Sequence, residues 1–132
     1  MGRMSSAIII VNYNQGDLLN WQLALIKKFC PEPDRYVINN GSHPLETEKI
    51  VYWAKRHGAT VVNADCKDSD PSVAHGFGCN LGFQLFKDSY DVLMFMDHDM
   101  FPLKPFDLNM NGYAIGGLAQ VRQGYKYHCP GS

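Results

Sequence analysis

Two aspartates flank a histidine in the stretch 90–101, YDVLMFMDHDMF, directly after a run of apolar residues. The run Val92–Met96 has the composition of a buried strand, and like charges at the end of such a strand repel unless a cation joins them. If the extended backbone continued, Asp97 and Asp99 would point to one side and His98 to the other. Two hard oxygen ligands favour Mg²⁺ or Mn²⁺ carrying phosphate over zinc. The stretch predicts a divalent-ion site, with an ordinary polar turn as the alternative.

The elements that must position this pair alternate between strand and helix. Apolar periodicity and turn residues predict strands at 7–11, 35–38, 60–63 and 92–96, and helices at 17–29, after residue 42 and at 79–87. In the second helix Ser42 is the predicted cap, with Pro44 in the first turn and Gly58 past the end. The buried stripe of the first helix is predicted to be Leu18, Trp21, Leu25 and Phe29.

The rest of the chain completes this pattern. A surface loop is predicted at 64–72, the glycines of 76–78 are predicted to open the third helix, and a further strand is predicted at 113–121. This alternation predicts one α/β domain over residues 1–132, a Rossmann-like, mostly parallel sheet with helices on both faces.

Four predicted strands end on polar residues. The ends are Asn12-Tyr13-Asn14, Asn39-Asn40-Gly41-Ser42, Asn63 with Asp65, and Asp97-His98-Asp99. In parallel sheets ligands bind at the carboxyl ends of the strands. Each cluster alone fits ordinary turn chemistry, but the four together predict a nucleotide site at one edge of the sheet.

Composition restricts the function classes. The formal net charge of −1 gives no support for a nucleic-acid partner or a membrane surface, so a phosphate-bearing ligand must be held by local chemistry. The longest apolar runs, at 7–11 and 92–96, are far shorter than a membrane span. Four scattered cysteines without a CxxC pair predict reduced thiols, and therefore a cytoplasmic protein.

The motifs AIIIVNYNQGDLL, YVINNGS, GFGCNLGF and LMFMDHDM, in this order and spacing, resemble the nucleotide-sugar-binding half of a GT-A glycosyltransferase of the family-2 type. The resemblance covers roughly residues 7–101. It implies transfer of a sugar from a nucleoside diphosphate sugar to a hydroxyl acceptor, either a glycan or a small molecule. It also implies dependence on Mn²⁺ or Mg²⁺.

The resemblance assigns the nucleoside to the first two strand ends. The end of the first strand contacts the nucleoside in that family, which places Val11, Asn12 and Tyr13 there. Asn39 stands where the family usually has an aspartate against the base. Because an asparagine can still accept from the imide N–H of uracil and donate to a carbonyl, a UDP-sugar is the expected donor.

The resemblance assigns the diphosphate and the metal to the later motifs. The glycine-rich segment implies a helix opening whose backbone approaches the donor, with Asn80 in it and His75 near the diphosphate; a surface histidine is the alternative for His75. Asp97, His98 and Asp99 match the D-x-D motif, whose carboxylates hold the divalent ion, with Asp97 and His98 beside the donor. His128 is a candidate third metal ligand, and a simple exposed histidine is the alternative.

The chain departs from the family on its C-terminal side. Inverting members carry a catalytic carboxylate well beyond D-x-D, in an acceptor-binding half. Asp107 is the one acidic residue after Asp99, and its place in a proline-containing loop close to D-x-D does not favour it as the base. The catalytic base and the stereochemical course therefore stay open, as does a homo-oligomer or another partner that completes the acceptor site.

Other functions fit the sequence less well. A HAD-type phosphohydrolase has its D-x-D early in the chain, and a dinucleotide fingerprint follows the first strand, unlike the glycines of 76–82. A sugar-1-phosphate nucleotidyltransferase needs a basic first loop, whereas residues 12–17 contain no Lys or Arg. The serious alternative is a module that binds a nucleotide sugar without efficient transfer.

Overall fold

The computed structural model describes residues 5–64 and 70–108, with the backbone of residues 121–122 and 125–126. The elements are β1 (Ser6–Asn12), α1 (Gly16–Phe29), β2 (Asp34–Asn40), α2 (Pro44–Arg56), β3 (Thr60–Ala64), α3 (Pro71–Phe86), β4 (Val92–Asp97), β5 (Val121–Arg122) and β6 (Tyr125–Lys126). The predicted strand at 113–121 lies outside the described residues except for Val121. Within the described ranges, no helix is long and apolar enough to cross a membrane.

The first four strands form one all-parallel sheet in the order β3-β2-β1-β4. Strands β5 and β6 form a separate antiparallel pair. The β-branched run 7–11 is fully buried in the centre of the sheet, as expected for a strand covered on both faces. The predicted parallel α/β sheet is confirmed.

The helices cover both faces of the sheet, as the alternation predicted. Ile8 and Ile10 of β1 face α1 and α2, and the core on this side also contains Leu19, Leu23, Ile26, Val37, Ile50, Ala54 and Met96. Ile9 and Val11, which alternate with them, pack with Ile38 and the apolar residues of α3. Side chains alternate between the two faces along each strand, and this alternation decides on which face a polar residue at the strand's end lies.

The buried stripe of α1 differs from the predicted one. Its buried residues are Gly16, Leu19, Gln22, Leu23 and Ile26, whereas the predicted Trp21 is 64% exposed. Two neighbouring stripes of this helix have helical spacing, and the one that is buried contains a glutamine. The sheet covers that stripe, which is otherwise aliphatic, and the Gln22 amide has hydrogen-bond partners there.

The predicted boundaries of α2 are nearly correct, but its cap is not Ser42. His43 is the N-cap, and its Nδ1 accepts from the Leu45 N–H at 3.2 Å. Pro44 begins the helix as expected, and Gly58 follows its end with φ of +74°, in the left-handed region that favours glycine. Ser42 was a wrong prediction as the cap because its hydroxyl is used between loops.

The third helix begins earlier than predicted. It spans Pro71–Phe86, so residues 71–72 are not loop and the glycines of 76–78 lie inside the helix instead of opening it. A Cβ at Gly78 would lie 2.8 Å from Val11 Cγ1, and one at Gly82 would lie 3.0 Å from Ile9 Cγ2. These two glycines let the helix approach the sheet closely. Their presence is explained by this close packing and not by the start of a helix.

Candidate functional site

The polar strand ends form a row across one edge of the sheet. Asn12, Asn39 and Asn63 are neighbours in register on β1, β2 and β3. On the other side of β1, Val11 is in register with Asp97, the last residue of β4. The sequence prediction that these strand ends share one edge is therefore met for the four strands of the parallel sheet, while Asp65 lies outside the described residues.

The loop after β1 is closed by Asn12. Its side chain is fully buried, Nδ2 donates to the Gln15 carbonyl, and Oδ1 accepts from the Gln15 N–H, both at 3.1 Å. Val11 is buried against α3. Of the three predicted nucleoside contacts only Tyr13, which is 54% exposed, presents its side chain to solvent. Contacts from Val11 and Asn12 would have to come from their backbone.

Asn14 joins the loop after β1 to the loop after β2. Its φ is +55°, a conformation that asparagine tolerates better than most residues. Its N–H donates to Ser42 Oγ at 2.9 Å, and its Oδ1 accepts from the His43 N–H at 2.7 Å. The two loops are thereby fixed relative to each other at the centre of the edge.

Asn39 lies in a network of amides and hydroxyls. Nδ2 donates to Thr47 Oγ1 at 3.0 Å and to Asn63 Oδ1 at 3.1 Å, so both amide hydrogens are used. The buried Oδ1 has no hydrogen-bond donor among the described residues. The Asn39 oxygen is thus the unsatisfied atom of this network, but the side chain is only 4% exposed. A ligand could reach that oxygen only if the side chain turned outward, which would break both Nδ2 bonds.

Asn40, on the opposite face of β2, has a similar arrangement that sequence analysis did not single out. Its Nδ2 donates to the Ala74 carbonyl of α3 at 2.6 Å. Its buried Oδ1 also has no donor in the part of the chain that the structure describes. The sequence did show a second polar residue directly after Asn39. Because successive side chains of a strand point to opposite faces, Asn40 had to lie on the face opposite Asn39.

The D-x-D segment leaves the strand at once. Asp97 ends β4, and the Met100 N–H donates to the Asp97 carbonyl at 3.2 Å, which closes a turn over residues 97–100. The condition for Asp97 and Asp99 to share a face, continued strand geometry, is therefore not met. Both aspartates are exposed on this turn, and His98 between them is half-buried.

Gln22 holds the same turn from α1. Its Nε2 donates to the Asp97 carbonyl at 2.7 Å and to the Met100 carbonyl at 2.8 Å. Sequence analysis missed this residue. The signal was a glutamine at helical spacing among Leu19, Leu23 and Ile26, where an apolar residue would be expected.

His75 of α3 contacts the first aspartate of the motif. His75 Nε2 lies 2.9 Å from Asp97 Oδ1, and Cys79 Sγ, one helical turn on, lies 3.5 Å from the same nitrogen. The pKa of His75 is raised to about 10, mainly by the hydrogen bond to Asp97 and then by that to Cys79, while burial opposes the shift. His75 is thus a cation beside the D-x-D turn.

Two predicted residues are not joined to this group. Asn80 is exposed on α3 five residues after His75, roughly 140° away around the helix axis. His128 lies outside the described residues.

The turn 97–100 offers a divalent ion at most two carboxylates, so a phosphate ligand and water would have to complete its coordination. Asp97 and Asp99 supply carboxylate oxygens, and within the described ranges no group of three or more His, Cys, Asp or Glu side chains could hold a metal. Mg²⁺ is typically bound by one or two carboxylates, with phosphate oxygens and water in its other positions. An ion bound through Asp97 Oδ1 would replace the contact with His75.

The fold has known counterparts. No model of a known protein family matches the sequence, and no curated protein matches it. Solved structures of similar fold include the mannosyltransferase PcManGT from Pyrobaculum calidifontis in complex with GDP-Man and Mn²⁺, with a TM-score of 0.56 and 18% identity. The match covers 76% of this chain and 29% of that chain. At this identity the likeness shows a glycosyltransferase-like fold, and the chain spans less than a third of that enzyme.

Proposed function

We propose that this chain is a glycosyltransferase domain, which binds a nucleoside diphosphate sugar at the carboxyl edge of its sheet and transfers the sugar to a hydroxyl acceptor. The observation that carries the proposal is that the His75–Asp97 pair lies at the same edge of the sheet as the polar ends of the four parallel strands. A cation, exposed carboxylates and amide groups at one edge are what a diphosphate joined to a base requires. The similar fold of a GDP-Man-bound mannosyltransferase supports it.

The proposed division of the edge places the base at β1 and β2. The exposed ring of Tyr13 offers a face for stacking, and the Asn39 oxygen accepts from an imide N–H of the base. Uracil and guanine both carry such an N–H, whereas cytosine presents a ring acceptor in its place. A UDP-sugar is proposed as the donor, with a GDP-sugar as the nearest competitor.

The diphosphate lies at β4 and α3 in this proposal. Asp97 and Asp99 would hold Mn²⁺ or Mg²⁺, which when bound supplies Lewis acidity toward the diphosphate. His75, released from Asp97, donates to a phosphate oxygen and helps neutralise the charge that builds as the bond from the sugar C1 to the diphosphate breaks. The acceptor oxygen forms the new bond to C1, and its proton is assigned to no described residue.

A thermal-shift series with UDP-, GDP- and CDP-sugars and Mn²⁺ tests donor binding. A donor at 100 times its Kd stabilises the folded state by about 2.7 kcal/mol, which raises the Tm of a domain of this size by roughly 10 °C. We expect the largest rise with the UDP-sugar. A rise with the GDP-sugar alone would overturn the assignment of uracil, and no rise with any donor would overturn the proposed function.

The substitution Asp99→Ala should remove the Mn²⁺-dependent part of this shift and metal-dependent turnover while leaving the fold intact. The matched control is Asp88→Ala, because Asp88 is also exposed but precedes the amino end of β4. Full metal-dependent turnover in Asp99→Ala would show that the motif does not hold the metal.

The second candidate function is a nucleotide-sugar-binding module. It is favoured by one observation: the contacts described at the edge, such as the His75–Asp97 pair, serve donor binding and do not by themselves require transfer. Nucleoside diphosphate released over time, with and without Mn²⁺, separates the two candidates: an enzyme turns the donor over, whereas a module gives saturable binding alone.

A further inference from the structure

Gln22 is a buried amide in an otherwise aliphatic environment. Its side chain has no exposed surface, and its neighbours on the buried stripe of α1 are Leu19, Leu23 and Ile26. Burying an amide is unfavourable unless hydrogen bonds replace those to water. A residue of this type on a core stripe therefore needs partners from another element.

The partners of Gln22 are both ends of the D-x-D turn. The two hydrogens of Nε2 are donated to the carbonyls of Asp97 and Met100, at 2.7 and 2.8 Å, from a helix 75 and 78 residues away in the chain. The Asp97 carbonyl also accepts from the Met100 N–H. One side chain thus holds the backbone at the first and last residues of the turn that carries Asp97 and Asp99.

Fold stability alone does not explain a glutamine at this position. Its Oε1 is buried and has no hydrogen-bond donor among the described residues, which is an unfavourable arrangement. A methionine or leucine would fill the aliphatic surroundings without burying that oxygen. What only the amide provides is the pair of hydrogen bonds to the turn.

We propose that Gln22 is a positioning residue for the candidate site: it holds the turn 97–100 in one conformation, so that the carboxylates of Asp97 and Asp99 are preorganised for a divalent ion and its diphosphate. The inference rests on the proposed function. Without Gln22 the turn must be ordered when the ligand binds, and that loss of conformational entropy weakens binding.

The test compares Gln22→Met with Leu19→Met. Both positions are fully buried on α1, one turn apart, and only the first substitution removes the donor to the turn. The affinity for Mn²⁺ alone is measured by electron paramagnetic resonance, and the exchange rate of the Met100 amide by NMR. A merely structural role would alter the exchange of the Met100 amide but leave the affinity for Mn²⁺ unchanged in a variant that remains fully folded.

For Gln22→Met we expect Mn²⁺ affinity about tenfold weaker and faster exchange of the Met100 amide, with both unchanged in Leu19→Met. Gln22→Leu is the second variant if Gln22→Met does not fold. Wild-type Mn²⁺ affinity in a folded Gln22 variant would overturn the inference, whatever its exchange rate. Failure of the proposed function has a different signature, because the wild-type protein would then bind neither Mn²⁺ nor a donor sugar.

Discussion

The glycines of α3 provide a test of how the helix packs on the sheet. A Cβ at Gly76 would have no heavy atom within 4 Å, whereas one at Gly78 would lie 2.8 Å from Val11 Cγ1. At Gly82 the nearest contact would be intermediate, 3.0 Å from Ile9 Cγ2. Replacing each glycine by alanine therefore samples three degrees of crowding along one helix.

The magnitudes follow from two opposing effects. Alanine in a helix interior is more favourable than glycine by roughly 1 kcal/mol, and Gly76→Ala should gain most of this. At Gly78 the added methyl overlaps a β-branched side chain that is buried and stiff, and overpacking of this kind costs about 1–3 kcal/mol. Gly78→Ala should therefore be less stable than Gly76→Ala by about 1–3 kcal/mol, roughly 4–12 °C in Tm.

Urea and thermal unfolding, followed by circular dichroism, measure this difference. The expected order of stability is Gly76→Ala, then Gly82→Ala, then Gly78→Ala. Equal stability of Gly76→Ala and Gly78→Ala would refute the close approach of α3 to β1. Titrating the stable Gly76→Ala variant with a donor sugar adds a separate measurement. The donor should lose affinity for this variant only if it contacts the backbone of α3 at Gly76.

Two further predictions concern contacts across the edge. Because the pKa of His75 is raised to about 10, the metal-free wild-type protein should be more stable than His75→Gln below pH 6.5, and this advantage should disappear as the pH rises through about 10. Both partners are about half exposed, so the stability advantage of the wild-type protein should not exceed about 1 kcal/mol. Urea unfolding at a series of pH values measures this advantage. An advantage that grew with pH would contradict the His75–Asp97 pair. Asn14→Ala should destabilise by about 1–2 kcal/mol, since it loses the bond from His43 and places alanine at positive φ; unchanged stability would contradict the link between the two loops.

The order of the elements and the polar strand ends were readable from the sequence because both follow from local patterns. A β-branched run bounded by Asn and Gly strongly predicts a buried strand with a polar end. Parallel strands then bring these ends to one edge whatever the details of packing. Asp97 and Asp99 were placed at this edge in this way, whereas His75 was named only from the family resemblance.

The first helix shows where local patterns fail. Two stripes of α1 have helical spacing; the predicted one contains Trp21, whereas the buried one contains Gln22. Gln22 can be buried because two backbone carbonyls at the end of β4 accept its hydrogen bonds. These carbonyls are distant in the chain, so no local sequence pattern of α1 reveals them. The same holds for α3, since Gly78 is explained by Val11 on another element.

The sequence by itself determined a parallel α/β sheet with a carboxylate pair at the carboxyl end of the strand now labelled β4. Tertiary structure alone decided that Asp97 is paired with His75, that Asn12 closes its own loop, and that Gln22 holds the turn behind Asp97. The physical reason is the range of the interactions. Periodicity and turn chemistry act within a few residues, whereas a buried amide or an ion pair is defined by partners that only the packed sheet and helices bring together.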